Sequence, residues 1–141
     1  MELEVGPFDP ALHIRSRDHY EGVRREAQLL TLQPDAAPRR LEQLVERLTV
    51  QFPPNPVDEI ADRAYLAGEP TFTAKVVIPD ELVPAAIAAV DQIEDLLVQL
   101  DAWARDTQAN LLEAPEDVKA YRRAYLAQAR EQLQAALDRH A

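Results

Sequence analysis

The sequence contains no cysteine, only three glycines and only three histidines. Without cysteine the chain has no disulfide, no thiolate metal ligand and no cysteine nucleophile. Three glycines, none close together, do not make a glycine-rich loop that cradles phosphate. No histidine follows a glutamate at the three-residue spacing that helical di-metal sites use. We therefore expect no metal site, no cofactor and no catalytic residue.

Long hydrophobic runs are also absent. No apolar stretch approaches the roughly 18 residues of a membrane-spanning helix, and the start, MELEVGPFDP, is acidic where a secretory signal is basic. We therefore expect a cytoplasmic protein. The 25 acidic and 15 basic residues give a net charge of −10, which repels nucleic-acid phosphates and anionic lipids. Neither nucleic acid nor a membrane is an expected partner.

The residues that are present describe one folded domain, residues 1–141, with 47% hydrophobic and 28% charged residues. MELEV alternates apolar and acidic residues, which predicts a short strand that ends at Gly6-Pro7. TFTAKVVIPD, residues 71–80, is rich in β-branched residues and predicts a second strand. We expect the two strands to pair, since a lone strand leaves its backbone groups unsatisfied. Four residues of the second strand should share one face: Phe72, Ala74, Val76 and Ile78.

Apolar residues at three- and four-residue spacing predict helices over residues 10–32, 39–52, 57–68 and 80–109, and a last helix from Pro115 almost to the C terminus. Leu66 is a further candidate for the inward face of the third helix, and Leu82 begins the apolar stripe of the fourth. A short polar segment joins the last two helices, so we expect them to pack as an antiparallel hairpin. The predicted fold class is α+β, predominantly helical, with two short strands and four to five helices.

The last helix contains AYRRAY, in which two arginines separate two tyrosines. Tyr121 and Tyr125 lie four residues apart on the core stripe, whereas Arg122 and Arg123 point further round the helix. The tyrosines are interpreted as packing residues. For the arginines two interpretations remain open: a solvated face paired with acidic residues of the same helix, or an exposed cationic spot for an acidic partner.

A second cation-rich stretch, HIRSRDHYEGVRREAQ, covers residues 13–28. Its arginines could bind a phosphate or a carboxylate, and Arg17 and Arg24 could share one flank of the helix. Interleaved acidic residues could equally neutralise them. His13 and His19 are six residues apart, on different faces of a helix, so we expect each at the surface or at the rim of the core.

The C-terminal half resembles small actinobacterial proteins associated with anti-sigma kinases and their phosphatases. The matching residues are Ile78-Pro79-Asp80-Glu81, Leu112, Ala114-Pro115-Glu116, Val118, Tyr121-Arg122-Arg123 and Tyr125-Leu126. The likeness covers about 60 residues and contains no catalytic motif. It implies a regulatory accessory protein that binds another protein.

The sequence therefore favours a non-enzymatic cytoplasmic interaction protein, in a setting such as sigma-factor partner switching. Two alternatives remain. The first is a sensor of a small anionic molecule, or a small helical enzyme, that uses Arg17, Arg24 and either Arg122 or Arg123. The second is a structural homodimer built on the helix of residues 80–109, whose apolar stripe offers more surface than one partner helix covers.

Overall fold

The computed structural model describes residues 1–30, 56–106 and 113–139, without the side chains of residues 24, 26–30, 103, 104 and 106. The elements in these ranges are β1 Glu2–Phe8, α1 Pro10–Leu30, α2 Pro56–Leu66, β2 Phe72–Val77, α3 Val83–Asp106 and α4 Glu116–Arg139. A 3-10 turn, Asp80–Leu82, leads into α3. The predicted α+β, mostly helical fold is confirmed. The helix predicted at residues 39–52 and most of the connection between the last two helices lie outside the described residues.

The two strands pair, as predicted, and the structure shows that they run antiparallel, a direction that the sequence left open. Leu3 and Val5 of β1 are buried, whereas the intervening glutamates face solvent. Strand β1 is longer than predicted, because the chain continues through Gly6 with a register irregularity before Phe8 pairs with Phe72. Gly6 has a φ of +121°, and a Cβ atom there would lie 2.6 Å from the carbonyl oxygen of Phe72. Only glycine fits this close approach of the two strands.

One hydrophobic core receives side chains from both strands and all four described helices. The largest fully buried side chains are Leu96, Leu100, Leu133, Val5, Val23, Val57, Val83 and Val118. Two inward assignments were wrong. Leu66 is 83% exposed, because it ends α2 about half a helical turn away from the buried Val57. Leu82 is exposed, because the 3-10 turn has a different angular period from the helix and gives the buried position to Val83.

Helices α3 and α4 form the predicted antiparallel hairpin. Arg130 of α4 bonds to Asp91 and Glu94 of α3, each over 2.5 Å. Further along, Arg122 of α4 bonds to Asp101 of α3 over 2.8 Å. The residue numbers rise in one helix as they fall in the other, which establishes the antiparallel direction. None of the described helices combines the length and the apolar composition needed to cross a bilayer.

Candidate functional site

A buried histidine joins three helices. His13 is only 8% exposed, so the prediction of a surface or rim position was wrong for this residue. Its Nε2 atom lies 2.7 Å from Oδ1 of Asp58 in α2, and its Nδ1 atom is hydrogen-bonded to the hydroxyl of Tyr121 in α4. Both ring nitrogens therefore have partners, which is the condition for burying an imidazole without a large energetic cost.

The local sequence explains how these side chains meet. Asp9 caps α1, since its carboxylate accepts the N–H of Ala11 over 2.9 Å, and this fixes the first turn that carries His13. Pro56 is the first residue of α2, a position where its missing N–H costs nothing. Asp58 lies in the first turn of α2, where a negative charge is favoured by the helix dipole.

Aromatic rings enclose the imidazole. The ring of Phe72 lies edge-on to His13 at 5.6 Å, and that of Tyr121 meets it nearly at a right angle. Phe8 stacks with Tyr125 at 6.2 Å on the same side of the core. Burial raises the pKa of Tyr125 to about 12, with a smaller contribution from the charge of Asp58. Burial also raises the pKa of Tyr121 well above its usual range.

With the imidazole proton on Nε2, the nitrogen that faces the Asp58 carboxylate, both hydrogen bonds have a consistent direction. The Tyr121 hydroxyl stays protonated and can donate to Nδ1 of His13, while Nε2–H of the same ring donates to the Asp58 carboxylate. A hydroxyl, an imidazole and a carboxylate in this order also form the arrangement that activates a nucleophile. Here the hydroxyl is that of a buried tyrosine, and its raised pKa keeps it protonated. The two hydrogen bonds are therefore suited to holding α1, α2 and α4 together.

Arg17 lies one helical turn beyond His13 and repeats the contact between the same two helices. Its Nη1 atom is 3.0 Å from the carboxylate of Asp62, four residues after Asp58. Hydrogen bonding to Asp62 is the main reason why the pKa of Arg17 is raised. Arg24, the other arginine predicted on this helix, has its side chain outside the described residues, while its backbone belongs to α1.

The two arginines of AYRRAY have different environments. The expectation that both are exposed is wrong for Arg122, whose side chain is 15% exposed and faces the carboxylate of Asp101. Asp101 is itself buried, and its other oxygen lies 3.4 Å from the backbone nitrogen of Ala114. Arg123 is exposed and forms no ion pair with any residue that the structure describes.

The structure does not bring Arg17 and Arg122 to one pocket. Arg17 is paired at the interface of α1 and α2, whereas Arg122 is paired at the interface of α3 and α4. Each of the two therefore has its own carboxylate partner. One pattern in the sequence could have revealed the first interface: a histidine and an arginine four residues apart match two aspartates four residues apart on another helix.

The surface around β2 combines exposed apolar side chains with a strand edge that pairs with no described residue. In the described part of the chain, five large hydrophobic side chains are exposed, and four of them lie between residues 65 and 82. Thr73 and Lys75 are the exposed residues in the middle of β2. We use the name β2 surface for the exposed side chains of this segment: Tyr65, Leu66, Thr73, Lys75, Val77 and Leu82.

The opposite edge of the sheet is covered by α4. The backbone N–H groups of Glu4 and Gly6 donate to the Oε1 atoms of Gln132 and Gln128 over 2.7 and 2.8 Å. The side-chain amide of Gln132 donates back to the carbonyl of Glu4 over 2.5 Å. The sheet thus has one sealed edge, on β1, and one edge, on β2, that bonds to no other described residue. The sequence did not predict this difference between the two edges, because the spacing of Gln128 and Gln132 on a helix does not indicate which strand they contact.

Comparison with protein-family models, with curated protein sequences and with solved structures gave no match for this chain. A proposal about function therefore rests on the geometry of the described residues.

Proposed function

We propose that the chain is a non-catalytic, cytoplasmic protein-interaction module that binds its partner through the β2 surface. The observation that carries this proposal is that four exposed large apolar side chains lie in residues 65–82, the segment that also contains a strand edge with no described partner. Leu66 is 83% exposed and Val77 is 76% exposed, whereas the equivalent edge of β1 is covered. Exposed apolar side chains that cluster on one surface are typical of binding sites.

Burial of the apolar side chains of the β2 surface would contribute binding free energy. Burying a leucine or a valine side chain contributes about 1.5–3 kcal/mol, and a few such residues at the centre of an interface supply most of its binding free energy. Tyr65 is also exposed and belongs to a residue type that is enriched at interfaces. The β2 surface therefore offers apolar side chains of the kind that anchor a protein partner.

The internal bonding of the polar residues supports a non-catalytic role. Both ring nitrogens of His13 are engaged, and Arg17 and Arg122 are each held by an aspartate of a neighbouring helix. These residues stabilise contacts between helices. Side chains used in this way are not available to bind a substrate without breaking the fold.

The resemblance of residues 78–126 to accessory proteins of anti-sigma systems gives the proposal a setting. In that setting the module acts as a regulator, and its partner belongs to a sigma-factor switching system. This part of the proposal rests on the resemblance and is independent of the argument from the β2 surface.

The test is the capture of a partner with matched surface variants. Wild-type protein and the variants Leu66→Glu, Val77→Glu and Val98→Glu are used to capture proteins from cells of the native host, and the partner is identified and purified. Val98 is 62% exposed on α3, away from β2 in the chain, and serves as the control.

We expect the purified partner to bind the Leu66 and Val77 variants at least tenfold more weakly and the Val98 variant normally. Each charged substitution must also leave the melting temperature unchanged. Unimpaired binding by both β2-surface variants would contradict the proposal. A wild-type chain that sediments at twice 15.9 kDa, and as a monomer after Val77→Glu, would instead identify a second copy as the partner.

A further inference from the structure

The outer edge of β2 can be identified from the hydrogen bonds at the ends of the sheet. Met1 and Ile78 exchange two bonds, from the Met1 nitrogen to the Ile78 oxygen over 2.7 Å and from the Ile78 nitrogen to the Met1 oxygen over 2.9 Å. In an antiparallel ladder such pairs alternate. The backbone groups of Thr73, Lys75 and Val77 therefore point away from β1.

These outward groups belong to exposed residues and have no described partner. Thr73, Lys75 and Val77 are all exposed, and their outward N–H and C=O groups form no hydrogen bond with any other described residue. An exposed edge of this kind is a template for pairing with another strand. On the other side of the sheet, glutamine side chains from α4 occupy the corresponding positions of β1. Among the described strands, β2 therefore has the edge that can accept a third strand.

We propose that β2 accepts an extended segment of the partner as a third strand, with a carboxylate side chain opposite Lys75 and an apolar side chain opposite Val77. This inference rests on the proposed function and adds the mode of binding and the chemistry of the bound segment. Main-chain hydrogen bonds hold the segment, and the side chains of alternate residues select it.

Charge on the outer face of the sheet selects the carboxylate. Lys75 pairs across the sheet with Glu4 and lies 3.8 Å from the carboxylate of Glu2. A carboxylate on a third strand would lie about 5 Å from Lys75 and about 10 Å from Glu4, since strands are spaced about 4.8 Å apart. The attraction to Lys75 is therefore stronger than the repulsion by Glu4, and salt screens the more distant charges further.

A second copy of the chain fits this edge less well. If two copies paired along this edge, the register that uses Thr73, Lys75 and Val77 of both copies would place Lys75 opposite Lys75 of the other copy. Like charges directly opposite each other destabilise a strand pair. Two chains with a net charge of −10 also repel each other. A partner segment with a carboxylate at this position avoids the repulsion between two lysines.

The test uses three synthetic heptapeptides with blocked ends. The first, TVTETVT, places valine, glutamate and valine on one face of a strand. The second, TVTKTVT, replaces the glutamate with lysine, and the third is TVTETVT with an N-methyl group on its glutamate. Each is titrated into the full-length protein while the backbone amide resonances of Thr73, Lys75 and Val77 are followed by NMR.

We expect TVTETVT to shift these three resonances and to protect the amides from hydrogen exchange. TVTKTVT should bind about fivefold more weakly, because a like-charge pair replaces an opposite-charge pair, and the N-methylated peptide should not bind. The preference for glutamate should disappear in Lys75→Gln. The negative net charge of the chain favours the lysine peptide, so the expected order identifies a local effect of Lys75.

Three results would overturn the inference: no shift at these amides with TVTETVT at millimolar concentration, tighter binding of TVTKTVT, or equal binding of the N-methylated peptide. Protection of the same amides that rises with protein concentration alone would also overturn it, in favour of a second copy. If the Leu66 and Val77 variants lose the partner while TVTETVT leaves the amides unchanged, only strand addition fails and the proposed function remains.

Discussion

The side-chain amide of Gln132 bonds to Glu4 as the backbone of a neighbouring strand would. It accepts the N–H of Glu4 over 2.7 Å and donates to the carbonyl of the same residue over 2.5 Å. Gln128, one helical turn earlier, accepts the N–H of Gly6. Helix α4 therefore completes the sheet on the β1 side, whereas the β2 edge bonds to no other residue of the described ranges.

Replacing the two glutamines should weaken this contact. We expect Gln132→Ala and Gln128→Ala each to lower the free energy of unfolding by about 0.5–1.5 kcal/mol, since each removes hydrogen bonds that water replaces only in part. Chemical denaturation measures the loss. The matched control is Gln134→Ala, because Gln134 is exposed on the same helix and bonds only locally, to Asp138. A control variant as unstable as the other two would show that the loss does not come from the sheet edge.

Arg122 and Arg123 should differ sharply in their effect on stability. Arg122→Ala leaves the buried carboxylate of Asp101 without its cation, and removing one partner of a buried pair costs about 3–5 kcal/mol. Arg123→Ala removes an exposed side chain and should change stability by less than about 0.5 kcal/mol. Thermal denaturation of the two variants makes the comparison, and equal melting temperatures would contradict the assignment of Arg122 to the interior.

Patterns within one element and the pairing of the two strands were predictable from the sequence, whereas most side-chain contacts between distant elements were not. The alternation around Leu3 and Val5 identified a strand with one buried face. Arg122 could not be assigned inward, because its partner Asp101 lies on a different helix and the spacing rules compare residues of one helix. The burial of His13 depends on Tyr121, 108 residues away, and no local pattern reports such a pairing.

The two hydrogen bonds that connect His13 to Tyr121 and to Asp58 should contribute to stability. Tyr121→Phe removes the hydroxyl and leaves Nδ1 of the buried His13 without its partner, which should cost about 1–3 kcal/mol. Tyr125→Phe is the control, because it keeps the ring that stacks on Phe8. Denaturation of both variants tests the point, and a smaller loss for Tyr121→Phe than for Tyr125→Phe would contradict it.

Stability should fall at alkaline pH. The folded protein holds the proton of Tyr125 up to about pH 12, whereas the ordinary pKa of tyrosine is 10.0. The stabilisation is therefore complete below pH 10 and is lost as the pH rises from 10 to 12, by about 3 kcal/mol for this residue. Denaturation curves measured across this range test the prediction. In Tyr125→Phe the decline should be shallower, and an identical decline would assign it to other groups.

Hydrogen exchange resolved by residue tests the central claim, that the two edges of the sheet differ, most directly. In the protein without a partner, the amides of Glu4 and Gly6 should exchange slowly, since they donate to Gln132 and Gln128. The amides of Thr73, Lys75 and Val77 should exchange at nearly the rate of an unstructured chain, since they face solvent. Equally strong protection of both sets would show that the β2 edge is already occupied and would contradict the account.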